Sequence, residues 1–154
     1  MLNNDILRRL RFITQLNDSQ MIQVFSLVGK KVDLKVINSW LKKEDHPEYE
    51  FLPESDLADF LNALIIHLRG PKDGTSTPPQ SNLDNNVILK KVKIAFNLTS
   101  DDQIEIFRHA DFKLSKHELS AFSRRPGHKN YRECKDQILR NFLKGLQLIY
   151  RKTD

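Results

Sequence analysis

Cys134 is the only cysteine, which excludes an intramolecular disulfide and removes the paired thiols that many structural zinc sites use. The five glycines, at positions 29, 70, 74, 127 and 145, are too scattered to form a phosphate-cradling loop. No apolar run exceeds Ala63-Leu64-Ile65-Ile66, far short of the roughly 20 residues that cross a bilayer. Asn3, Asn4 and Asp5 stand where a secretory signal would be basic and then apolar. No nucleophile, base and carboxylate stand out as a catalytic set. These absences lead us to expect a cytoplasmic protein that is not an enzyme, with no cofactor, no metal and no membrane partner.

What is present is an internal duplication. Shifted by 82 residues, Asn3-Asn4-Asp5-Ile6-Leu7-Arg8-Arg9 falls on Asn85-Asn86-Val87-Ile88-Leu89-Lys90-Lys91, and the register holds without a gap to Arg69 and Arg151. Roughly 15 of about 68 aligned positions are identical, and most others keep apolar opposite apolar. The reading is an all-α chain of two tandem four-helix modules, residues 1–70 and 85–154, joined by a linker over 71–84. Pro71, Pro78, Pro79, Gly74 and several Ser and Thr residues give that linker a flexible composition tolerant of change.

In each module the first helix follows an Asn pair expected to cap it, and carries Ile6, Leu7, Leu10 and Ile13, or Ile88, Leu89, Val92 and Ala95, on one face. A second helix starts near Asp18 or at Thr99; Gly29 or Asp111 ends it in a left-handed conformation. The third helix opens at Asp33, or at Ser115 with Glu118 as a capping box, and has Trp40 or Phe122 near its end. The fourth is opened by Pro53 in the first copy. Its core face is Leu57, Phe60, Leu61 and Leu64, repeated as Leu139, Phe142, Leu143 and Leu146. Beyond that face Ile65, Ile66 and Leu68 are also apolar, which points to an interface.

The strings Asn3-Asn4-Asp5-Ile6-Leu7-Arg8-Arg9-Leu10, Trp40-Leu41-Lys42-Lys43-Glu44-Asp45 and Ser115-Lys116-His117-Glu118-Leu119-Ser120-Ala121-Phe122 resemble a family of small bacterial proteins, the YehS-like proteins. Tyr131-Arg132-Glu133-Cys134 and Asn141-Phe142-Leu143-Lys144-Gly145-Leu146 match as well. The resemblance implies a two-copy architecture in a bacterial cytosol. It implies no activity, and there are no catalytic residues to carry over.

Charge divides unevenly. Residues 1–70 carry 9 Lys and Arg against 10 Asp and Glu; residues 71–154 carry 16 against 10. The second copy therefore suits an acidic partner. Its second and third helices read as a helix-turn-helix, whose exposed residues would be Lys116, His117, Ser120, Arg124 and Arg125, extended by His128 and Lys129. We expect Lys116, Ser120, Arg124, Arg125 and Lys129 to contact DNA or RNA, the arginines forking onto phosphate or guanine, in a regulatory role. In the first copy the corresponding residues are Lys35, Asn38, Ser39, Lys42 and Lys43. The alternative is a protein–protein adaptor that touches no nucleic acid. The sequence leaves the oligomeric state open.

Three further features have plainer readings. Arg8, Arg9 and Arg11, with Lys90, Lys91 and Lys93, are expected on an exposed helix flank, solvated and paired with carboxylates, those of the fourth helix among them. His46 and His128 each precede a tyrosine by three residues and are expected to pin a loop through backbone hydrogen bonds. Cys134 aligns with Leu52 and is expected to be a small buried hydrophobe.

Overall fold

The computed structural model describes residues 1–71 and 82–151. Residues 72–81, the middle of the expected linker, lie outside the described residues. Contacts divide the chain into two units, Met1–Leu83 and Asp84–Asp154. The first holds α1 (Asn3–Thr14), α2 (Asp18–Ser26), α3 (Leu34–Leu41) and α4 (Glu54–Arg69). The second holds α5 (Asn85–Ala95), α6 (Ser100–His109), α7 (Lys116–Phe122) and α8 (Asp136–Tyr150). The described residues contain helices and no strand, so the all-α reading with four helices per copy holds.

Periodicity places the core. Ile6, Leu7, Leu10 and Ile13 of α1 are buried, as are Met21, Val24 and Phe25 of α2, and Leu57, Phe60, Leu61 and Leu64 of α4. Helix α2 packs on α3 and α4, and α6 packs on α7 and α8. At the centre of the first unit Phe25 lies 5.9 Å from Trp40 and 5.5 Å from Phe60, ring centroid to centroid. In the second, Phe107 lies 5.3 Å from Phe142. Tilted ring pairs at these separations add specific attraction to the burial itself. The aromatic pair aligned by the duplication thus fills the same place in each unit.

The backbone repeats as faithfully as the core. Gln15 and Asn97 end the first helix of each unit in the left-handed region, with φ of 58° and 55°. Gly29 and Asp111 follow the second helix with φ of 74° and 56°. Both stops expected after the second helix are present, although a side chain at this φ is strained in the second copy. Gly70 closes α4 with φ of 84°.

Helix starts correct one expectation. The caps of the first helices are Leu2 and Asp84, and the Asn pairs lie inside α1 and α5. Asp84 accepts from the Val87 amide at 2.9 Å, whereas Leu2 has no capping side chain and its own amide donates to Asp5 at 3.3 Å. Pro53 sits at the cap of α4 rather than in its first turn. The box at Ser115 with Glu118 forms as expected, a second box closes at Thr99 with Asp102, and Asp33 caps α3.

The Asn residues do something other than capping. Asn4 is buried; its Nδ2 donates to the carbonyls of Trp40 and Glu50 at 2.9 and 2.8 Å, and its Oδ1 accepts from the Leu52 amide at 2.9 Å. Asn86 does the same with Phe122, Arg132 and Cys134 at 3.0, 2.9 and 2.8 Å. One side chain thereby satisfies three backbone groups and fixes the irregular connection from the third helix to the fourth. Asn3 and Asn85 add a bond each, to the carbonyls of Leu52 and Cys134, both at 3.1 Å.

Candidate nucleic-acid interface

The connection held by Asn86 carries most of the residues singled out for nucleic acid. Within it the His128 amide donates to Arg125 O at 3.0 Å and the Tyr131 amide to His128 O at 2.9 Å. His128 Nδ1 accepts from the Asn130 amide at 3.0 Å, and the Arg132 amide returns to Ala121 O at 3.0 Å. The first unit repeats every one of these bonds with His46, Glu48, Tyr49, Glu50, Lys43 and Ser39. Each histidine therefore pins its own turn through the backbone, as expected. Tyr49 differs, since its hydroxyl meets the Asn4 side chain at 3.3 Å.

On this shared frame the side chains have opposite charge. Residues 124–135 hold Arg124, Arg125, Lys129, Arg132 and Lys135 against Glu133 alone. The aligned residues 42–53 hold Lys42 and Lys43 against Glu44, Asp45, Glu48 and Glu50. Arg124, Arg125 and Lys129 are exposed, and no carboxylate of the described residues pairs with them. Lys135 pairs with Glu133 at 3.1 Å. Arg132 lies 5.3 Å above the Phe122 ring and 3.7 Å from Glu118.

Two placements differ from those read off the sequence. Helix α7 has seven residues and ends at Phe122, so Arg124 and Arg125 follow the helix instead of lying along it. Ser123 and Pro126 explain this: serine is a weak helix former and proline disfavours helix in the residue before it. Lys116 opens α7, 3.1 Å from Asp101, and the Ser120 hydroxyl is turned inward to His117 O at 2.8 Å. The segments between second and third helices, 27–33 and 110–115, also exceed the three or four residues usual in a DNA-binding helix-turn-helix. Arg124, Arg125 and Lys129 thus gather on one connection, while Lys116 and Ser120 already have partners on α6 and α7.

Two of the three arginines on the flank of α1 are also engaged. Arg8 pairs with Asp5 and donates to Lys42 O at 3.2 Å, and Arg11 reaches Asp18 at 2.7 Å. The carboxylates lie on α1 and α2, not on α4. Lys91 is buried, and burial, with Lys90 next to it, pulls its ammonium pKa below the usual value. Desolvation likewise lowers that of Arg9. Such groups are poor phosphate contacts.

Cys134 is buried beside a 340 Å³ recess lined by Asp84, Asn85, Asn86, Tyr131 and Glu133. Burial, reinforced by the carboxylates of Asp136 and Asp84, pushes its thiol up to about 12. A thiol held protonated is a weak nucleophile, so Cys134 behaves as the buried hydrophobe its alignment with Leu52 implied. Among the described residues no three His, Cys, Asp or Glu side chains gather as metal ligands. Among them, too, no helix is long and apolar enough to cross a membrane.

A model of the family described as "Protein of unknown function (DUF1456)" matches residues 3–70 and again residues 85–152. The chain belongs to this family. It is also 40% identical over 147 residues to the Uncharacterized protein YehS of Escherichia coli (strain K12), covering 95% of this chain and 94% of that protein. No solved structure matches. The twofold family match has the same limits as the internal repeat, within a residue or two.

Proposed function

We propose that this protein binds nucleic acid without catalysing a reaction, through phosphate contacts made by the connection between α7 and α8. One observation carries the reading: Arg124, Arg125 and Lys129 are exposed and have no carboxylate partner among the described residues, on a connection whose twin in the first unit is acidic. Arginine forks match phosphate oxygens, and cations held by a rigid loop lose little freedom on contact. Since both arginines follow α7, the contact follows the backbone of the nucleic acid instead of inserting a recognition helix into a groove. Such binding is sequence-tolerant and strongly salt-dependent.

Fluorescence anisotropy of random duplex and single-stranded oligonucleotides across a salt series tests this. Tight binding at low salt should fall away steeply, and Arg124→Ala with Arg125→Ala should reduce the log–log slope by about 2. No binding at low salt, or a double variant that titrates like the parent, would overturn the proposal.

A further inference from the structure

The same connection in the first unit forms a different surface. An open groove of about 1030 Å³ runs between α3 and residues 48–53. Its walls are Leu34, Val36, Trp40, Phe51 and Pro53. Leu34 and Phe51 are 46% and 54% exposed, a large apolar exposure for two side chains of one groove. Glu48 and Glu50 border the groove, exposed and without a cation partner among the described residues; Lys35 is the one cation on its lining.

In the second unit the aligned positions carry charge. Lys116 replaces Leu34, Glu118 replaces Val36, Glu133 replaces Phe51 and Lys135 replaces Pro53. Arg132, in place of Glu50, covers the Phe122 ring that stands for Trp40. One fold therefore carries a charged version of this surface and an apolar one.

We propose that the groove of the first unit docks a basic peptide segment of another protein, with an apolar side chain set between Leu34 and Phe51 and Lys or Arg against Glu48 and Glu50. Charge complementarity selects this occupant: an apolar floor rimmed by carboxylates favours a cationic, apolar-anchored segment and repels acidic ones. A second copy of this chain fits less well. Its basic connection, residues 124–135, offers no exposed large apolar side chain for the floor.

Trp40 is the only tryptophan and lines the groove, so its emission reports occupancy directly. The probe is a fluorescein-free synthetic peptide of alternating lysine and leucine with one central phenylalanine, titrated into the full chain. Saturable binding with a shift in Trp40 emission is expected. Replacing the peptide's leucines and phenylalanine by serine, or its lysines by glutamate, should each weaken binding at least about tenfold. Leu34→Lys with Phe51→Glu installs the residues that the second unit already carries there, and should weaken binding similarly while leaving the melting temperature near that of the parent.

Four results would overturn the proposal: no saturation at about millimolar peptide, equal binding of the serine peptide, unchanged binding by the double variant, or self-association abolished by that variant without any peptide effect. Should the variant not fold, the wild-type emission shift and the two control peptides decide alone. None of these readouts involves Arg124 or Arg125, so the result is separable from that of the oligonucleotide titration.

Discussion

The two connections from third to fourth helix share their hydrogen bonds and little else. Asn4 and Asn86 each satisfy three backbone groups, and His46 and His128 each close the turn with Nδ1. Of the six polar identities between the copies, four (Asn3, Asn4, His46 and Tyr49 with their twins) meet at this clasp. Side chains that point away from it have diverged from acidic around an apolar groove to strongly basic. Backbone satisfaction constrains the inner residues, because a buried unpaired carbonyl or amide costs on the order of 1–3 kcal/mol. Nothing comparable constrains the outer ones, so a duplicated scaffold is free to present two unlike surfaces.

The largest expected way to break this symmetry lies at α8. Gly145 passes so close to α6 that an added Cβ would fall 1.9 Å from Ile106 O, a backbone atom that cannot swing aside. The first unit has buried Ala63 at this position. Gly145→Ala should therefore destabilise by about 3 kcal/mol despite its better helix propensity, and Ala63→Gly by about 1 kcal/mol. Urea melts of the two variants check this, and equal small effects would show that the two helix pairs are equally spaced.

Removing the clasp should act alike in both units. Asn4→Ala and Asn86→Ala each strand several buried backbone groups and should each cost about 2–4 kcal/mol. Amide exchange should speed up first at Leu52 or Cys134, whose amides the Asn side chains hold. A large effect in one unit only would mean that the connections are held by different forces.

A smaller contrast sits at the second-helix stop. Lys30 pairs with Asp56 and Asp59, which raises its pKa, chiefly through the bond to Asp56. The second unit replaces this group by Phe112, Ile138 and Asn141, with the Phe112 ring tilted against that of Phe107 at 5.7 Å. Lys30→Ala should cost about 1 kcal/mol, because the pair is partly exposed, whereas Lys30→Phe with Asp56→Ile should be close to neutral. The pair's contribution is complete below the ordinary lysine value of 10.5 and is lost as pH rises through the raised one.

The smallest effect is alkaline. Cys134 titrates at about 12 when folded against 9.0 ordinarily, so unfolding lets the thiol ionise sooner. Its share of stability is intact below pH 9.0 and is lost between there and about 12. The loss should reach about 1 kcal/mol near pH 9.7 and should be absent in Cys134→Ala. Stability measured as a function of pH, variant against parent, gives the difference directly.

Much of this was legible in the sequence. The apolar stripes located the core residues of the first and fourth helices of each unit, and the box at Ser115 located a helix start to the residue. The Asn pairs misled, because the residue type favoured at a cap is equally able to bridge buried backbone. Their identity across the copies was the available signal that they serve a shared buried purpose. The length of α7 was misjudged because Arg124 and Arg125 are good helix formers, and local propensity alone does not register the break at Ser123 and Pro126. The groove at Leu34 and Phe51 was not visible, since these two residues stand 17 positions apart with no shared pattern and its significance lies in what the second copy puts there.

The central claim is that charge on a common connection decides what each unit meets, and a transplant between the units tests it most directly. Asn130→Glu with Arg132→Glu gives the second unit the residues found at positions 48 and 50 of the first, at sites the frame already accepts. The salt series with random duplex should then show affinity reduced at least about tenfold at low salt and a shallower slope, with the melting temperature lowered only by the loss of the Arg132 contacts to Glu118 and Phe122. A transplanted protein that binds the duplex as the parent does, on the same slope, would contradict the account.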